Sequence, residues 1–226
     1  MPNRVSELYY EELGADFDRF MSDYDVARRV ELMRRMMPAD HGPRVLEVGC
    51  GTGAVTRGLD VSPEGLEVTD ISATLAQTVG EERGCAWSQQ DACRLSFESD
   101  SFDLVYSSEC VEHTPSPEAA LREMARVTAP GGWVLITTPN RLWYPVLWLA
   151  MRLHIRKYQG NEVWLWPRRA AHVLEDAGMR IERISGCHLW PWHIPLAKRV
   201  LPGLDRFGDQ LYPAMINFAI VAQKSR

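Results

Sequence analysis

Two hydrophobic periods alternate along this chain. In residues 24–37, Val26, Val30, Met33 and Met37 recur near helical spacing and the pattern stops at Pro38, which predicts an amphipathic helix; residues 6–21 read as another. From Val45 the apolar residues gather instead into short runs at 45–48, 66–69, 102–106, 179–185 and 215–222, the signature of buried strands. Between them lie helix-like stretches, among them 167–177, and Pro130-Gly131-Gly132 reads as a turn. Strands alternating with helices predict a doubly wound α/β sheet. The alternation breaks twice, at 141–166 and at 186–213, and both breaks are rich in large aromatics. A chain of 226 residues with 46% hydrophobic content is long enough for one full α/β core and short for two. The expected organisation is one domain: a helical cover at 1–40, a core at 44–140 and the two insertions.

The densest chemical signal is VLEVGCGTG, Val45 to Gly53. An apolar strand runs into Gly49, Gly51 and Gly53, which let the backbone turn sharply and approach a ligand where a Cβ would collide. The helix that follows offers free N–H groups to a carboxylate or phosphate. The spacing is GxGxG, whereas dinucleotide folds seat a pyrophosphate with GxGxxG, so a nucleotide-like ligand without a pyrophosphate is favoured. Two acids stand at the ends of the next two strands, Asp70 in EVTDIS and Asp91 in QQDAC. Alone, Asp70 reads equally as a helix cap and Asp91 as a loop acid; together, their positions point to a binding edge. Glu47 has two readings, a buried acid satisfied by backbone N–H groups or a direct ligand contact.

Taken in order, these motifs resemble the class I S-adenosylmethionine-dependent methyltransferases, continuously from about Arg44 to Asn140, and are similar to quinone-pathway and natural-product enzymes of that superfamily. The resemblance implies a Rossmann-like, seven-stranded, mostly parallel sheet whose last strand is antiparallel. It implies S-adenosyl-L-methionine as cofactor, with Glu47, Gly49, Cys50, Gly51, Gly53 and Ser107 around the donor. Asp70 would accept the ribose hydroxyls, Ile71 would pack on adenine, and Asp91 with Ala92 would read the adenine edge. The end of the fourth strand, SFDLVYSSECVEH, would lie beside the transferring methyl group, making Glu109, Glu112 and His113 the catalytic candidates. For His113 two roles stand: a proton acceptor suited to neutral pH, or a structural, cofactor-side residue. The leading segment of such enzymes closes over the cofactor and often presents a Tyr, which singles out Tyr9, Tyr10 and Tyr24, with packing the alternative. Arg28 and Arg29 would reach the cofactor carboxylate or form a solvated face.

In the resembled fold, the insertions lie on the acceptor side of the sheet. Six of the eight tryptophans fall there, Trp143, Trp148, Trp164, Trp166, Trp190 and Trp192. They read as an acceptor pocket or as a satellite core, and the pocket set is Tyr9, Tyr10, Trp143, Trp164, His188 and Trp190, with His193 as a further candidate. A third reading is an interfacial helix: Trp143, Tyr144, Trp148 and Leu149 are followed by Arg152, Arg156 and Lys157, with Lys198 and Arg199 on the same surface.

Net charge narrows the partners. A formal charge of −5 and a pI near 5.7 argue against a general nucleic-acid binder. Cys50, Cys85, Cys93, Cys110 and Cys187 form no CxxC or Cys/His pattern, so neither a disulfide framework nor a metal site is indicated and a cytoplasmic setting is expected. The N-terminus lacks signal-peptide character. The expected activity is methyl transfer to a small or lipid-like acceptor, at oxygen, with peripheral membrane contact a further expectation and the oligomeric state open. Two alternatives stand beside it, a non-catalytic cofactor-binding regulatory module and, less favoured by the glycine spacing, a nicotinamide oxidoreductase.

Overall fold

The computed structural model describes residues 22–153, 162–191 and 196–226. Tyr9, Tyr10, the helix expected at 6–21, Arg156, Lys157, Trp192 and His193 lie outside them. The sheet has seven strands: β1 (Val45–Val48), β2 (Leu66–Asp70), β3 (Ala86–Gln89), β4 (Phe102–Ser108), β5 (Thr128–Pro139), β6 (Met179–Cys187) and β7 (Asn217–Lys224). Their order is β3-β2-β1-β4-β5-β7-β6. Strands β1 to β5 pair in parallel, and β7 runs antiparallel to both β5 and β6. The expected mostly parallel sheet with an antiparallel last strand is therefore what forms. Parallel strands must be covered on both faces, and the chain supplies two apolar cores accordingly. One packs Leu121, Met124, Val134, Ile136 and Phe218; the other packs Leu32, Met33, Leu104, Tyr106 and Leu135.

Helix α1 (Asp23–Met36) has Asp23 and Asp25 in its first turn and Arg34 and Arg35 in its last, complementing its dipole, and ends before Pro38 as the residue preceding proline favours. It buries Val30, Leu32, Met33 and Met36 against the second core. Helix α2 (Ala54–Gly58) leaves the glycine loop, and α3 (Ala73–Arg83) follows β2, capped by the Ser72 side chain, which accepts from Leu75 N, and closed by Gly84 at φ +65°. Helices α4 (Pro117–Val127) and α6 (Pro167–Asp176) cover the other face.

Pro130-Gly131-Gly132 does not end a strand. It falls inside β5, where pairing with β4 slips between Phe102 and Leu104, and Gly131 takes φ +79° to absorb the extra residues. The first insertion holds α5 (Tyr144–Arg152), and the second, expected to be irregular, holds α7 (Ala197–Leu204) and further short helical turns. Both are tied to the strand ends. Asn140 Nδ2 donates to Pro213 O at 3.0 Å and Met215 O at 3.1 Å, while Trp143 Nε1 donates to Ala214 O at 2.9 Å.

Candidate active site

The motif residues between Glu47 and His113 gather toward the carboxyl edge of β1, β2, β3 and β4, because parallel strands put every strand-to-helix turn on that edge. The glycine loop is anchored from beneath: Gly49 N–H and Cys50 N–H both donate to Thr69 O, at 2.8 and 2.9 Å. Its three glycines differ in what a side chain would meet. A Cβ on Gly49, at φ +76°, would run into the Cys110 side chain, and one on Gly53, at φ +80°, would press on Val79. Gly51, at φ +54°, would meet no atom of the described residues within 4 Å. Gly49 and Gly53 therefore let protein pack on protein, whereas Gly51 keeps an open cradle on the ligand side, which fits an adenosyl cofactor held by backbone. The edge beyond it is acidic. Asp70 is buried and accepts from Gly51 N at 2.9 Å and Ser72 N at 3.0 Å, so it links the two turns that flank the cradle. The helix cap beside it is Ser72 rather than Asp70.

Ile71 follows Asp70, its carbonyl receiving Gln89 Nε2 at 2.9 Å. Asp91 uses Oδ1 to accept from Cys93 N at 2.9 Å, fixing the loop in which Ala92 is buried. Ser107 at the end of β4 is buried and donates its hydroxyl to Val48 O at 2.7 Å, so its side chain holds the two central strands together. Cys50 is buried, and burial drives its thiol well above the ordinary range. Glu47 lies beneath the loop. Its Oε2 accepts from Thr56 Oγ1 at 2.7 Å and Tyr106 OH at 2.9 Å, hydroxyl partners rather than backbone N–H groups. Burial pushes its carboxyl up to about 7 against the pull of those two hydroxyls.

The candidates after β4 divide between two faces of the sheet. Thr137 and Thr138 are consecutive on β5 and point to opposite sides. Glu112 is buried on the Thr138 side, where Thr138 Oγ1 donates to its Oε2 at 3.0 Å, and His113 Nε2 lies 4.0 Å from its Oε1. Glu109 belongs to the Thr137 side: its backbone N–H donates to Thr137 O at 2.9 Å, Asn217 Nδ2 donates to its Oε2 at 2.8 Å, and Thr137 Oγ1 bonds Ser108 Oγ at 2.8 Å. Glu109 holds φ +52°, a left-handed backbone rare outside glycine, which turns its side chain away from that of Glu112. Burial raises both carboxyls above the ordinary range, and each group's repulsion from a neighbouring acid adds to it, Asp25 for Glu109 and Glu109 for Glu112; Arg29 opposes the shift at Glu109.

Beside Glu109 runs a buried ionic network that joins α1 to the second insertion. Arg29 donates to Asp25 Oδ2 at 3.1 Å through Nε and reaches Ser108 Oγ at 3.4 Å. Asp25 Oδ1 meets His188 Nε2 at 3.1 Å; His188 N donates to Asp205 Oδ1 at 2.9 Å, and Arg28 donates twice to Asp205 Oδ2, at 3.0 and 2.7 Å. His188 is fully buried in this network, and Arg28 and Arg29 are committed to carboxylates of the chain itself. Tyr24 stacks obliquely on His188 with ring centroids 5.7 Å apart. Among the tryptophans, Trp164 is buried with Tyr144 edge-on at 5.8 Å, Trp143 is fixed to Ala214, and Trp190 is half-buried. Asp25, Thr56, Tyr106, Thr138, Asp205 and Asn217 carry this architecture and were not singled out by sequence. Each is an ordinary residue in an ordinary pattern, and no local signal marks it.

Comparison with known proteins agrees with the geometry. Residues 46–136 match the family model described as "Methyltransferase domain". The ubiquinone biosynthesis O-methyltransferase of Burkholderia thailandensis is 30% identical over 175 residues, covering 70% of this chain and 72% of the relative. That of Bordetella avium is 32% identical over 177 residues, covering 72% and 73%. Among solved structures, a SAM-dependent methyltransferase from Thermotoga maritima superposes with TM-score 0.69 at 16% identity over 96% of this chain and 98% of that one. The [4+2]-cyclase SpnF superposes with TM-score 0.61 at 20% identity over 88% and 80%. At such identities the structures speak for the fold, and the cyclase carries a reaction of another class on it.

Proposed function

Since this chain belongs to the class I S-adenosylmethionine-dependent methyltransferases, we propose that it transfers a methyl group to an oxygen of a small or lipid-like acceptor. The observation that carries the oxygen assignment is the 30–32% identity to enzymes named as O-methyltransferases across nearly three quarters of their length. Bound S-adenosyl-L-methionine supplies a methyl carbon already activated by the sulfonium, so the protein's task is placement and proton handling. In this reading the backbone of Gly49 to Gly53 holds the donor, with Asp70 on the ribose hydroxyls and Asp91, Ala92 and Ile71 around the adenine. Glu109, Glu112 and His113 stand at the β4 end as the titratable groups able to take the hydroxyl proton, and His113 carries the assignment because imidazole is the side-chain type suited to general-base work around neutral pH.

The deciding experiment is a methyl-transfer assay with labelled cofactor against a cell extract, followed by mass identification of the product. An O-methyl product supports the reading; an N- or C-methyl product overturns the oxygen assignment; cofactor binding without transfer to any acceptor favours a regulatory module. His113→Ala separates roles within it. Turnover should fall while S-adenosylhomocysteine still binds, and a raised dissociation constant instead would make His113 a cofactor-side residue.

Helix α5 supports a second element of the reading, peripheral contact with an anionic lipid surface. Val146, Trp148, Leu149 and Leu153 are all about half exposed, and Arg152 lies over the Trp148 ring at 5.5 Å. Residues 141–157 contain four Arg or Lys (Arg141, Arg152, Arg156, Lys157) and no Asp or Glu, within a chain of net charge −5. Apolar rings flanked by cations suit the headgroup boundary. Co-sedimentation with phosphatidylglycerol vesicles at low salt, lost in Trp148→Ser/Leu149→Ser, is the expected result; wild-type protein left in the supernatant refutes it. Among the described residues no helix is long and apolar enough to cross a membrane.

A further inference from the structure

Two oxygens at the carboxyl edge of the sheet have hydrogen-bonding capacity that nothing among the described residues uses. Glu109 Oε1 and Asn217 Oδ1 are both shielded from solvent and neither has a hydrogen-bond partner. Asn217 is 4% exposed, and it opens β7, whose first residue reaches the carboxyl edge because that strand runs antiparallel to β5. The two side chains are already joined, Asn217 Nδ2 to Glu109 Oε2 at 2.8 Å, so the open oxygens sit at the two ends of one hydrogen-bonded pair. Flipping the Asn217 amide gains nothing simple, since it would face its oxygen toward the carboxyl oxygen it now serves. Buried polar atoms are almost always partnered, so two open acceptors on one hydrogen-bonded pair call for a donor beyond the described residues, and a bound ligand is one that can supply it.

Their position says whose donor. Glu109 directly precedes Cys110, whose side chain packs on Gly49 of the cofactor loop, and it follows Ser107 and Ser108 at the end of β4. The charges around the pair select against an anion. Arg29, which faces Glu109, spends its guanidinium on Asp25 and Ser108, Asp25 is further held by His188, and Arg28 is spent on Asp205. A carboxylate entering here would meet carboxyl and amide oxygens, with the neighbouring guanidinium charges already matched.

We propose that Glu109 and Asn217 form the specificity element of the acceptor site, taking as ligand a neutral group that donates hydrogen bonds, a hydroxyl in the first instance, and discriminating against carboxylates and fully alkylated ethers. This rests on the methyl-transfer reading above and names the acceptor chemistry for it.

Phenol, anisole and benzoate test this as probes of matched size, titrated against the full chain saturated with S-adenosylhomocysteine and read by ligand-observed NMR. Loss of one hydrogen bond to a charged or buried acceptor is expected to weaken binding roughly 10- to 100-fold. Phenol should therefore outbind anisole and benzoate by at least about tenfold in wild type. Glu109→Gln and Asn217→Leu should each bring the phenol-to-anisole ratio toward unity. Calorimetric affinity for S-adenosylhomocysteine should stay unchanged in both variants, which separates this proposal from the donor-binding reading: if wild type itself fails to bind the nucleoside, that reading fails. Anisole binding as well as phenol in wild type overturns the proposal. So does a crystal structure in which an ordered water bridges Glu109 Oε1 and Asn217 Oδ1 with phenol present.

Discussion

Substituting Gly51 by Ala separates two reasons for a glycine that the sequence presents as one. Gly51 has φ +54°, and an added Cβ would meet no atom of the described residues within 4 Å. The folded protein should therefore lose only the cost of a left-handed non-glycine residue, about 1–2 kcal/mol. The cofactor should lose more, because the methyl would occupy the cradle beside Asp70. Overpacking a close contact costs about 1–3 kcal/mol, which is roughly 5- to 150-fold in affinity. Gly84 provides the control. It also has a left-handed φ, +65°, and open space around it, but it closes helix α3 away from the loop. Gly84→Ala should match Gly51→Ala in urea denaturation and leave S-adenosylhomocysteine affinity intact by calorimetry. Gly51→Ala binding the nucleoside as tightly as wild type would refute the placement of the cradle. Equal affinity losses in both variants would show that the loss comes from general destabilisation.

Three further outcomes are expected. Arg28→Met should destabilise the protein by about 3 kcal/mol, because it strands the fully buried Asp205 carboxylate, and Arg28→Met/Asp205→Asn should recover much of that in urea denaturation; a single-variant cost near zero would contradict it. Glu47, raised from its ordinary 4.5 to about 7, binds more protons folded than unfolded between those values, so its contribution is present in full below pH 4.5 and lost as pH rises through 7. The stability difference between wild type and Glu47→Gln should accordingly move against wild type by on the order of 3 kcal/mol from pH 4.5 to 8, and a flat difference would refute the burial argument. Asp70→Asn should weaken S-adenosylhomocysteine binding at least severalfold, as the neutral amide is a weaker acceptor at the cradle edge than the carboxylate now bonded to Gly51 and Ser72.

Sequence reached furthest where chemistry is local. The strand, the three glycines and the acids at 70 and 91 follow in order along the chain, and each strand's carboxyl end is fixed once its apolar run is found, so the fold class and the gathering of the glycine loop and both acids at one edge were legible from patterning. The Pro-Gly-Gly segment reads as a turn before a strand because Pro and Gly mark turns and bulges alike; pairing with β4 on both sides of it decides for a bulge inside β5. The acceptor end was legible only in outline. SECVEH reads as one cluster of candidates, yet the backbone at Glu109 turns to φ +52° and the sheet sends Glu109 and Glu112 to different faces.

The sequence by itself determined the alternating sheet, its glycine cradle and the acidic edge that suits an adenosyl ligand, because each depends on residues a few positions apart and on periods of two and 3.6. The tertiary structure alone decided who stands beside Glu109. Asn217 lies 108 residues away in sequence, and the Arg28–Asp205 and Asp25–His188 pairs span 177 and 163. Such contacts are set by strand order and helix docking rather than by local preference, so the half of the site proposed to face the acceptor came into view only once β7 was laid between β5 and β6.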